Sequence, residues 1–259
     1  MRALLIAATC ALLAGCAGGA IYGIYAAPAA ATVSASAPNI VAAVADTRRP
    51  TADRDRDALR HPADMLAFAQ IEPGDRVADI LPGGGYFTRL FAVAVGESGR
   101  VYPVIRPPET ASQYETPILE VAAQYPNAVM ARVPFTALAF PEPLDVVFTA
   151  QNYHDLKIAE YNMGDTNAVN RAAFNALKPG GIYVVIDHSA ADGSGLASTE
   201  SLHRIDQALV RREVEAAGFV FDGESDVLRN PADARTLNVF DGAIRGHTDQ
   251  FALRFRKPA

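Results

Sequence analysis

Cysteine is nearly absent from this chain of 259 residues, because only Cys10 and Cys16 occur and both lie near the N-terminus. The long remainder therefore contains no free thiol, no partner for a disulfide and no cysteine ligand for a metal ion. This absence excludes thiol-based catalysis and cysteine metal sites from everything that follows residue 16.

Sequence signatures of several common function classes are missing as well. No Gly-Lys-Ser or Gly-Lys-Thr follows a glycine-rich segment, so a P-loop is not expected. No G-x-S-x-G elbow occurs, which argues against an α/β-hydrolase. The formal net charge is −6 and no basic stripe is present, so nucleic acid is not expected as a partner.

The N-terminus has the pattern of an export signal. A charged start at Arg2 precedes an apolar run at residues 3–13, which is too short to cross a bilayer as a helix. The run leads into L-A-G-C, ending at Cys16, which resembles the bacterial lipoprotein processing box and implies cleavage before Cys16 and lipid on it. Ala17 favours the outer membrane. We therefore predict a signal peptide at residues 1–15 and a lipid-anchored protein on the periplasmic face. The alternative is a cytoplasmic protein with a misassigned start.

Composition divides the rest of the chain into two parts. Residues 16–45 are rich in Ala, Gly, Ser and Pro with almost no charge, which predicts a tether. Residues 46–259 are enough for one domain with a full core. Within that domain, residues 48–60 alternate Arg and Asp, which we interpret as a solvated helical face.

Apolar runs and amphipathic stretches alternate along this domain. The pattern predicts an α/β fold with a doubly wound, mostly parallel sheet. Strands are expected at residues 76–81, 101–105, 128–133, 144–149, 182–187, 219–221 and 250–256. Helices are expected at residues 62–70, 86–95, 111–124, 167–177 and 206–217.

The most informative segment is residues 77–87, which read V-A-D-I-L-P-G-G-G-Y-F. The pattern is that of a strand, a glycine-rich turn and a helix. Glycines let a ligand approach the main chain closely, and the helix N-terminus offers free N–H groups. Because ligands of open α/β sheets bind at the carboxyl ends of strands, we predict a site for a nucleotide-like cofactor here. The alternative is a tight turn without a ligand.

This segment, together with L-D-V-V-F at residues 144–148 and L-K-P-G-G at residues 177–181, resembles the class I S-adenosylmethionine-dependent methyltransferase fold. Within that fold, N-Y-H-D at residues 152–155 and D-H-S-A-x-x-G-S-G at residues 187–195 resemble a group of bacterial predicted methyltransferases. The resemblance extends from about residue 59 to the C-terminus. It implies a Rossmann-like, seven-stranded sheet of order 3-2-1-4-5-7-6 with the last strand antiparallel, and S-adenosylmethionine as cofactor.

The resemblance also implies which residues bind the cofactor, and shows two departures from the family pattern. The implied cofactor-binding residues are Asp79, Gly83, Gly84, Gly85 and Tyr86. Leu81 replaces the first glycine of the usual motif. The second strand is expected to end in an acid that binds the ribose hydroxyls, but that position holds Val104, Ile105 or Arg106. Glu109 is the nearest acid downstream, so cofactor binding is less well supported than the fold.

Residues at the ends of the fourth and fifth predicted strands are candidates for catalysis. A His beside an Asp acts as a general base or positions a hydroxyl or amine, whereas the alternative is that both cap the next helix. The neighbouring fifth strand ends in Asp187 and His188, so we expect His154 and His188 to face one cleft. The predicted catalytic residues are Asn152, Tyr153, His154, Asp155 and His188.

Histidine and aspartate in this region also have the chemistry of metal ligands. His154, His188 and His203 are the histidines concerned, with Asp155 and Asp187. Their spacing matches no standard zinc signature, so the sequence predicts no metal site.

The sequence therefore favours a methyltransferase that transfers a methyl group from S-adenosylmethionine to a small molecule. A second hypothesis keeps the fold but binds another ligand, or performs His/Asp chemistry without that cofactor. A third is a non-catalytic binding protein of the cell envelope. The glycine turn and residues 152–155 favour the first, and the second strand and the leader favour the others.

Overall fold

The computed structural model describes residues 33–107 and 115–259. The leader, Cys16 and Glu109 lie outside the described residues. In the part of the chain that is described, no helix combines the length and apolarity needed to span a bilayer.

The observed elements follow the predicted alternation. The α-helices are α1 (Pro38–Ala45), α2 (Thr51–Arg54), α3 (Asp57–Arg60), α4 (Pro62–Phe68), α5 (Tyr86–Ala94), α6 (Glu115–Gln124), α7 (Thr166–Ala176), α8 (Thr199–Leu202) and α9 (Gln207–Ala216). The strands are β1 (Arg76–Ile80), β2 (Arg100–Ile105), β3 (Ala131–Arg132), β4 (Leu144–Ala150), β5 (Leu177–His188), β6 (Val220–Ser225) and β7 (Gln250–Arg256). Two 3₁₀ turns follow β4, at His154–Lys157 and Ala159–Tyr161.

The seven strands form one mixed sheet in the order β3-β2-β1-β4-β5-β7-β6. β1 pairs in parallel with β2 and β4, and β4 with β5, whereas β7 runs antiparallel to both β5 and β6. This topology confirms the predicted fold class and strand order. It also brings the carboxyl ends of β1, β4 and β5 to one edge of the sheet, where the candidate residues lie.

The core has two halves, one on each face of the sheet. Val77 and Phe148 face α1, α4 and α5, whereas Ala78 and Val147 face α7 and α9. Because successive side chains of a strand point to opposite faces, a strand covered on both sides is apolar throughout. This explains why β4 reads as a nearly continuous apolar run.

The domain begins earlier than composition suggested. Residues 38–45, which we predicted as the end of a tether, form α1, in which Ile40 and Ala43 are fully buried against the first half of the core. The Asn39 side chain also donates hydrogen bonds to the carbonyls of Ile71 and Ala94. A composition rich in alanine suits a helix that packs closely as well as a flexible coil, so composition alone did not separate the two.

The segment of alternating Arg and Asp is only in part the solvated face that we inferred, because Arg54, Asp55 and Arg56 are exposed whereas other members are buried. Arg49 is fully buried and pairs with Asp57 at 2.5 Å, and buried Asp53 pairs with Arg89 of α5 at 3.0 Å. The short helices α2 and α3 therefore lie against the start of α5 and the glycine turn. The alternation therefore combines an exposed face with ion pairs, both within the segment and to α5, that the sequence pattern did not reveal.

Candidate functional site

The turn between β1 and α5 is built with left-handed backbone conformations. Leu81, Gly83 and Gly85 have φ angles of 56°, 55° and 82°. Glycine adopts this conformation freely. For a residue with a side chain, such as Leu81, the left-handed conformation is costly, and it occurs mainly where the surrounding structure stabilises it. The Asn152 side chain donates to the Leu81 carbonyl at 2.9 Å, so the loop after β4 holds the turn in place.

The three glycines of the turn have different roles. A Cβ atom at Gly83 or Gly84 would meet nothing within 4 Å, so the main chain there is open to a ligand. A Cβ atom at Gly85 would lie 2.7 Å from a methyl group of Val121 on α6. Gly85 is therefore required by helix packing, and the open surface belongs to the other two glycines.

Asp79 and Tyr86, also predicted to bind the cofactor, already have partners in the protein. Asp79 is buried and accepts a hydrogen bond from the Thr88 hydroxyl at 2.6 Å, and burial raises its pKa to about 7. The Tyr86 hydroxyl donates to Asp57 at 2.6 Å, and burial raises the pKa of Tyr86 well above its usual value. Both side chains therefore support the turn.

Arg60 of α3 is a candidate that the sequence did not reveal. Its guanidinium lies 4.4 Å from the ring centre of Tyr86 and 5.0 Å from that of Phe87, and donates to the Gln151 side chain at 2.9 Å. Burial lowers its pKa to about 10. No carboxylate in the described residues forms an ion pair with it, although a desolvated guanidinium is usually paired. Nothing in the sequence distinguishes Arg60 from the neighbouring arginines.

The space beside Arg60 is small. The cavity that it lines with Phe87 and Gln151 has a volume of about 10 Å³, roughly enough for one water molecule. Entry of a larger anionic group on this side of the guanidinium therefore requires the segment carrying α3 to move.

The end of β2 carries no acid in the described part of the chain. Ile105 is buried, and Arg106 extends away to donate hydrogen bonds to the carbonyls of Tyr161 and Asn162 at 2.9 and 2.7 Å. The departure seen in the sequence therefore persists in the structure. Among the described residues, a ligand bound over the glycine turn meets no carboxylate at the end of this strand.

The second group of candidates centres on His154, in the 3₁₀ turn after β4. Its Nδ1 lies 2.8 Å from Asp187 Oδ1, and its Nε2 lies 3.1 Å from Asp155 Oδ1. Asp187 is fully buried and also accepts the backbone N–H groups of His154 and His188, each at 2.7 Å. The imidazole is thus held between two carboxylates.

These carboxylates determine the protonation of His154 when no other cation is present. Burial disfavours the charged ring, but attraction to Asp187 and hydrogen bonds to Asp155 and Asp187 outweigh it and raise the pKa of His154 to about 10. The charge of His154 in turn lowers the pKa of Asp187, against the effect of its burial. A protonated imidazole has no free lone pair, so this state does not support the predicted general-base role.

Two further histidines border His154. His188 lies with its ring centre 6.0 Å from that of His154 and its Nδ1 2.7 Å from the Thr248 hydroxyl, and burial lowers its pKa to about 4. His203 ends α8 in a left-handed conformation, with its ring centre 5.4 Å from that of His154. The structure therefore brings His154 and His188 together as predicted, and His203, the third histidine that the sequence singled out, lies beside them.

The other predicted residues of the loop after β4 lie elsewhere. Tyr153 is fully buried in the core, where its hydroxyl accepts from Asn170 and donates to Glu213, so it does not reach the cleft. No side chain caps the 3₁₀ turn that contains His154 and Asp155, so the capping alternative is not observed.

Ion pairs of the C-terminal part of the chain stabilise the segment that carries His203. Fully buried Arg204, next to His203, pairs with Asp233 at 2.8 Å, and Asp233 accepts the backbone N–H of Asp249. Arg235 pairs with Asp249 at 2.9 Å. These ion pairs fasten together segments that are distant in sequence, so their charged residues are structural.

Comparison with known proteins finds structural neighbours but no relative by sequence, since no protein-family model and no curated protein matches the chain. A SAM-dependent methyltransferase from Aquifex aeolicus superposes with a TM-score of 0.56 at 16% identity, over 78% of this chain and 92% of that one. The N-methyltransferase NodS from Bradyrhizobium japonicum WM9 gives 0.53 at 13% identity, over 80% and 99%. The [4+2]-cyclase SpnF gives 0.56 at 20% identity, over 83% and 84%.

These likenesses establish the fold class. The chain has the Rossmann-like fold that is found in S-adenosylmethionine-dependent methyltransferases, as the sequence resemblance implied. At identities this low, the likeness concerns the fold alone, and the function has to be argued from the site.

Proposed function

We propose that this protein is an S-adenosylmethionine-dependent methyltransferase that acts on a small molecule. The observation that carries the proposal is the open main chain at Gly83 and Gly84, at the carboxyl end of β1 in a fold shared with such enzymes. Asn152 links this turn directly to the loop that carries His154 and Asp155. A cofactor at the turn and an acceptor at the loop would therefore be neighbours.

The residues present fit one half of this cofactor. Gly83 and Gly84 would lie along its methionyl part, and the unpaired guanidinium of Arg60 would bind its carboxylate once α3 shifts. The ribose half lacks the expected acid at the end of β2. When bound, the cofactor supplies a methyl group activated by a sulfonium, so the protein mainly has to position the acceptor.

We propose that the acceptor would bind at Asp155. This carboxylate is partly exposed, and its contact with His154 Nε2 fixes its orientation. It would accept a hydrogen bond from a hydroxyl or amine of the acceptor, and His154, itself held by Asp187, acts as a positioning residue. The net charge of −6 and the lack of a basic stripe favour a small molecule over nucleic acid.

Calorimetric titration tests the proposal. The full-length protein in detergent would be titrated with S-adenosylmethionine and, separately, with S-adenosylhomocysteine. We expect one site per chain with a dissociation constant in the micromolar range. Absence of binding at millimolar ligand, by a protein that unfolds cooperatively, would overturn the proposal.

The second candidate is the same fold with a different ligand. It is favoured by the missing carboxylate at the end of β2, and the [4+2]-cyclase SpnF combines a fold of this kind with another activity. This candidate predicts no affinity for S-adenosylmethionine, together with a loss of activity on the true substrate when His154 or Asp155 is replaced.

We also propose that Cys16 is lipidated and anchors the protein to the periplasmic face of the outer membrane. The support is the sequence of residues 1–17. Cys16→Ser should release the protein from the membrane fraction, whereas Cys10→Ser, in the leader, should not. A Cys16→Ser variant that still fractionates with membranes would contradict the anchor, and attachment to the inner membrane would contradict only the location.

A further inference from the structure

Three ligand atoms converge at the outer side of the buried His154. His154 Nε2, Asp155 Oδ1 and His203 Nδ1 all lie within 4.8 Å of one another. We propose that these three atoms bind one divalent transition-metal ion of the zinc type. The proposal does not depend on the methyltransferase function, because it concerns a different ligand and is tested without the cofactor.

The distances are close to those between two ligands of one ion, and only the shorter of them is also a hydrogen-bond distance. Asp155 Oδ1 lies 3.1 Å from His154 Nε2 but 3.8 Å from His203 Nδ1, which is too long for a hydrogen bond. Two ligands with bonds of about 2.1 Å to a tetrahedral ion lie roughly 3.4 Å apart. The two measured distances fall on either side of that value, so small side-chain rotations are enough to place an ion between them.

His203 supplies independent support. Its Nδ1 is buried and has no hydrogen-bond partner within the described residues. A buried polar atom without a partner is uncommon in native proteins, and a bound ion is one of the explanations for it. The residue is held in its left-handed conformation by a short helix and by the neighbouring Arg204–Asp233 ion pair, so this nitrogen is kept in place.

The other side of His154 has the environment of a metal-binding histidine. Histidines that bind metals commonly donate the N–H of their second nitrogen to a carboxylate, which fixes the tautomer. Asp187 lies 2.8 Å from His154 Nδ1 and is itself held by two backbone N–H groups. If the ring keeps only its Nδ1 proton, the lone pair of Nε2 points toward Asp155, so a metal ion bound between the two would replace the proton that Nε2 carries in the metal-free protein.

The ligand set indicates the class of ion. Two imidazoles and one carboxylate suit zinc and its first-row neighbours, whereas magnesium and calcium prefer oxygen ligands alone. Three protein ligands leave at least one coordination position for water or a substrate, as in catalytic zinc sites. The sequence predicted no metal because the three ligands come from two loops that are distant in the chain.

Zinc titration of the chelator-treated, full-length protein tests the site, with magnesium in excess as competitor. We expect one zinc ion per chain, at least about 10-fold weaker binding by His203→Ala, and no change in His61→Ala. His61 is a matched control, since it too ends a short helix in a left-handed conformation, and its ring nitrogen lies near the exposed carboxylate of Asp64. Cobalt provides a second readout, because its visible absorption bands should appear with the wild type and be lost in His203→Ala.

The proposal is overturned if the wild type binds zinc no more tightly than His203→Ala, or if His61→Ala loses as much affinity. Thermal unfolding of each variant establishes that it is folded. If His203→Ala does not fold, His203→Asn replaces it, because asparagine tolerates the left-handed conformation and provides no imidazole.

Discussion

Two charged clusters flank the carboxyl edge of the sheet, and they differ in the sign of their excess charge. The arginine cluster covers the glycine turn and consists of Arg49, Arg56, Arg60, Arg89, Asp53 and Asp57. The histidine cluster follows β4 and β5 and consists of His154, Asp155, Asp187, His188 and His203. Guanidinium groups outnumber carboxylates in the first, whereas two carboxylates share one charged imidazole in the second.

The difference shows that unbalanced charge, rather than the number of charges, identifies the places that suit a ligand. Arg49 and Arg89 have carboxylate partners and stabilise the fold, whereas Arg60 has none and suits an anionic group. In the histidine cluster the excess is negative and His203 Nδ1 has no partner among the described residues, which suits a cation. Four predictions separate the two clusters.

The largest expected effect is on stability in the histidine cluster. Asp187→Ala leaves a charged imidazole and two backbone N–H groups without their acceptor. Breaking a buried pair of this kind costs about 3–5 kcal/mol of the free energy of unfolding. Urea denaturation measures it, with Asp192→Ala as control, because the Asp192 side chain is 95% exposed and its ion pair contributes little. A loss equal to that of the control would show that the cluster is not held by its charges.

The second prediction concerns pH and the base of the glycine turn. Burial raises the pKa of Asp79 to about 7, above an unfolded value of about 3.9. The stability contributed by the neutral carboxyl is therefore fully present below about pH 4 and is lost as the pH rises through 7. Asp79→Asn should match the wild type at pH 4 and exceed its stability at pH 8 by up to about 4 kcal/mol. Urea denaturation of both proteins at both pH values measures the difference. If Asp79→Asn changed the free energy of unfolding equally at pH 4 and pH 8, the raised pKa of Asp79 would be contradicted.

The third prediction sharpens the role of the open turn. Gly84→Val adds a side chain where nothing lies within 4 Å, so the fold should tolerate it. If the cofactor approaches this main chain, its affinity should fall about 100-fold, or about 2.8 kcal/mol. Gly242→Val is the matched control, because Gly242 is also exposed and open. Calorimetry measures the affinity of both variants for S-adenosylhomocysteine. Unchanged binding by Gly84→Val would show that the turn is not part of the binding site.

The smallest expected effect tests the unpaired charge of the arginine cluster. Arg60→Gln removes the guanidinium that we assign to the cofactor carboxylate, and affinity should fall about 10-fold, or about 1.4 kcal/mol. Arg54→Gln removes the same charge from an exposed position on α2 and should leave affinity unchanged. An equal loss in both variants would indicate a general effect of charge rather than direct contact.

Much of the candidate site followed from local sequence. Residues at the ends of neighbouring parallel strands must lie close together, which is why His154 and His188 were expected in one cleft. The glycines of the turn were recognisable because a strand, a turn and a helix follow one another within eleven residues. The different roles of these glycines were not recognisable from the sequence, since only the position of Val121 shows that Gly85 is required for packing.

The sequence by itself determined the alternation of strands and helices. Through the resemblance of its motifs to a known family, it also implied the order of the strands and the edge of the sheet that holds the candidate residues. Only the tertiary structure decided that α1 belongs to the core, that Arg60 lies over Tyr86 without an ion-pair partner among the described residues, and that His203 lies beside His154 and Asp155. The physical reason is that periodicity and motifs report which face of an element is buried. They do not report which distant side chain covers it, and charge balance and hydrogen-bond partners depend on that neighbour.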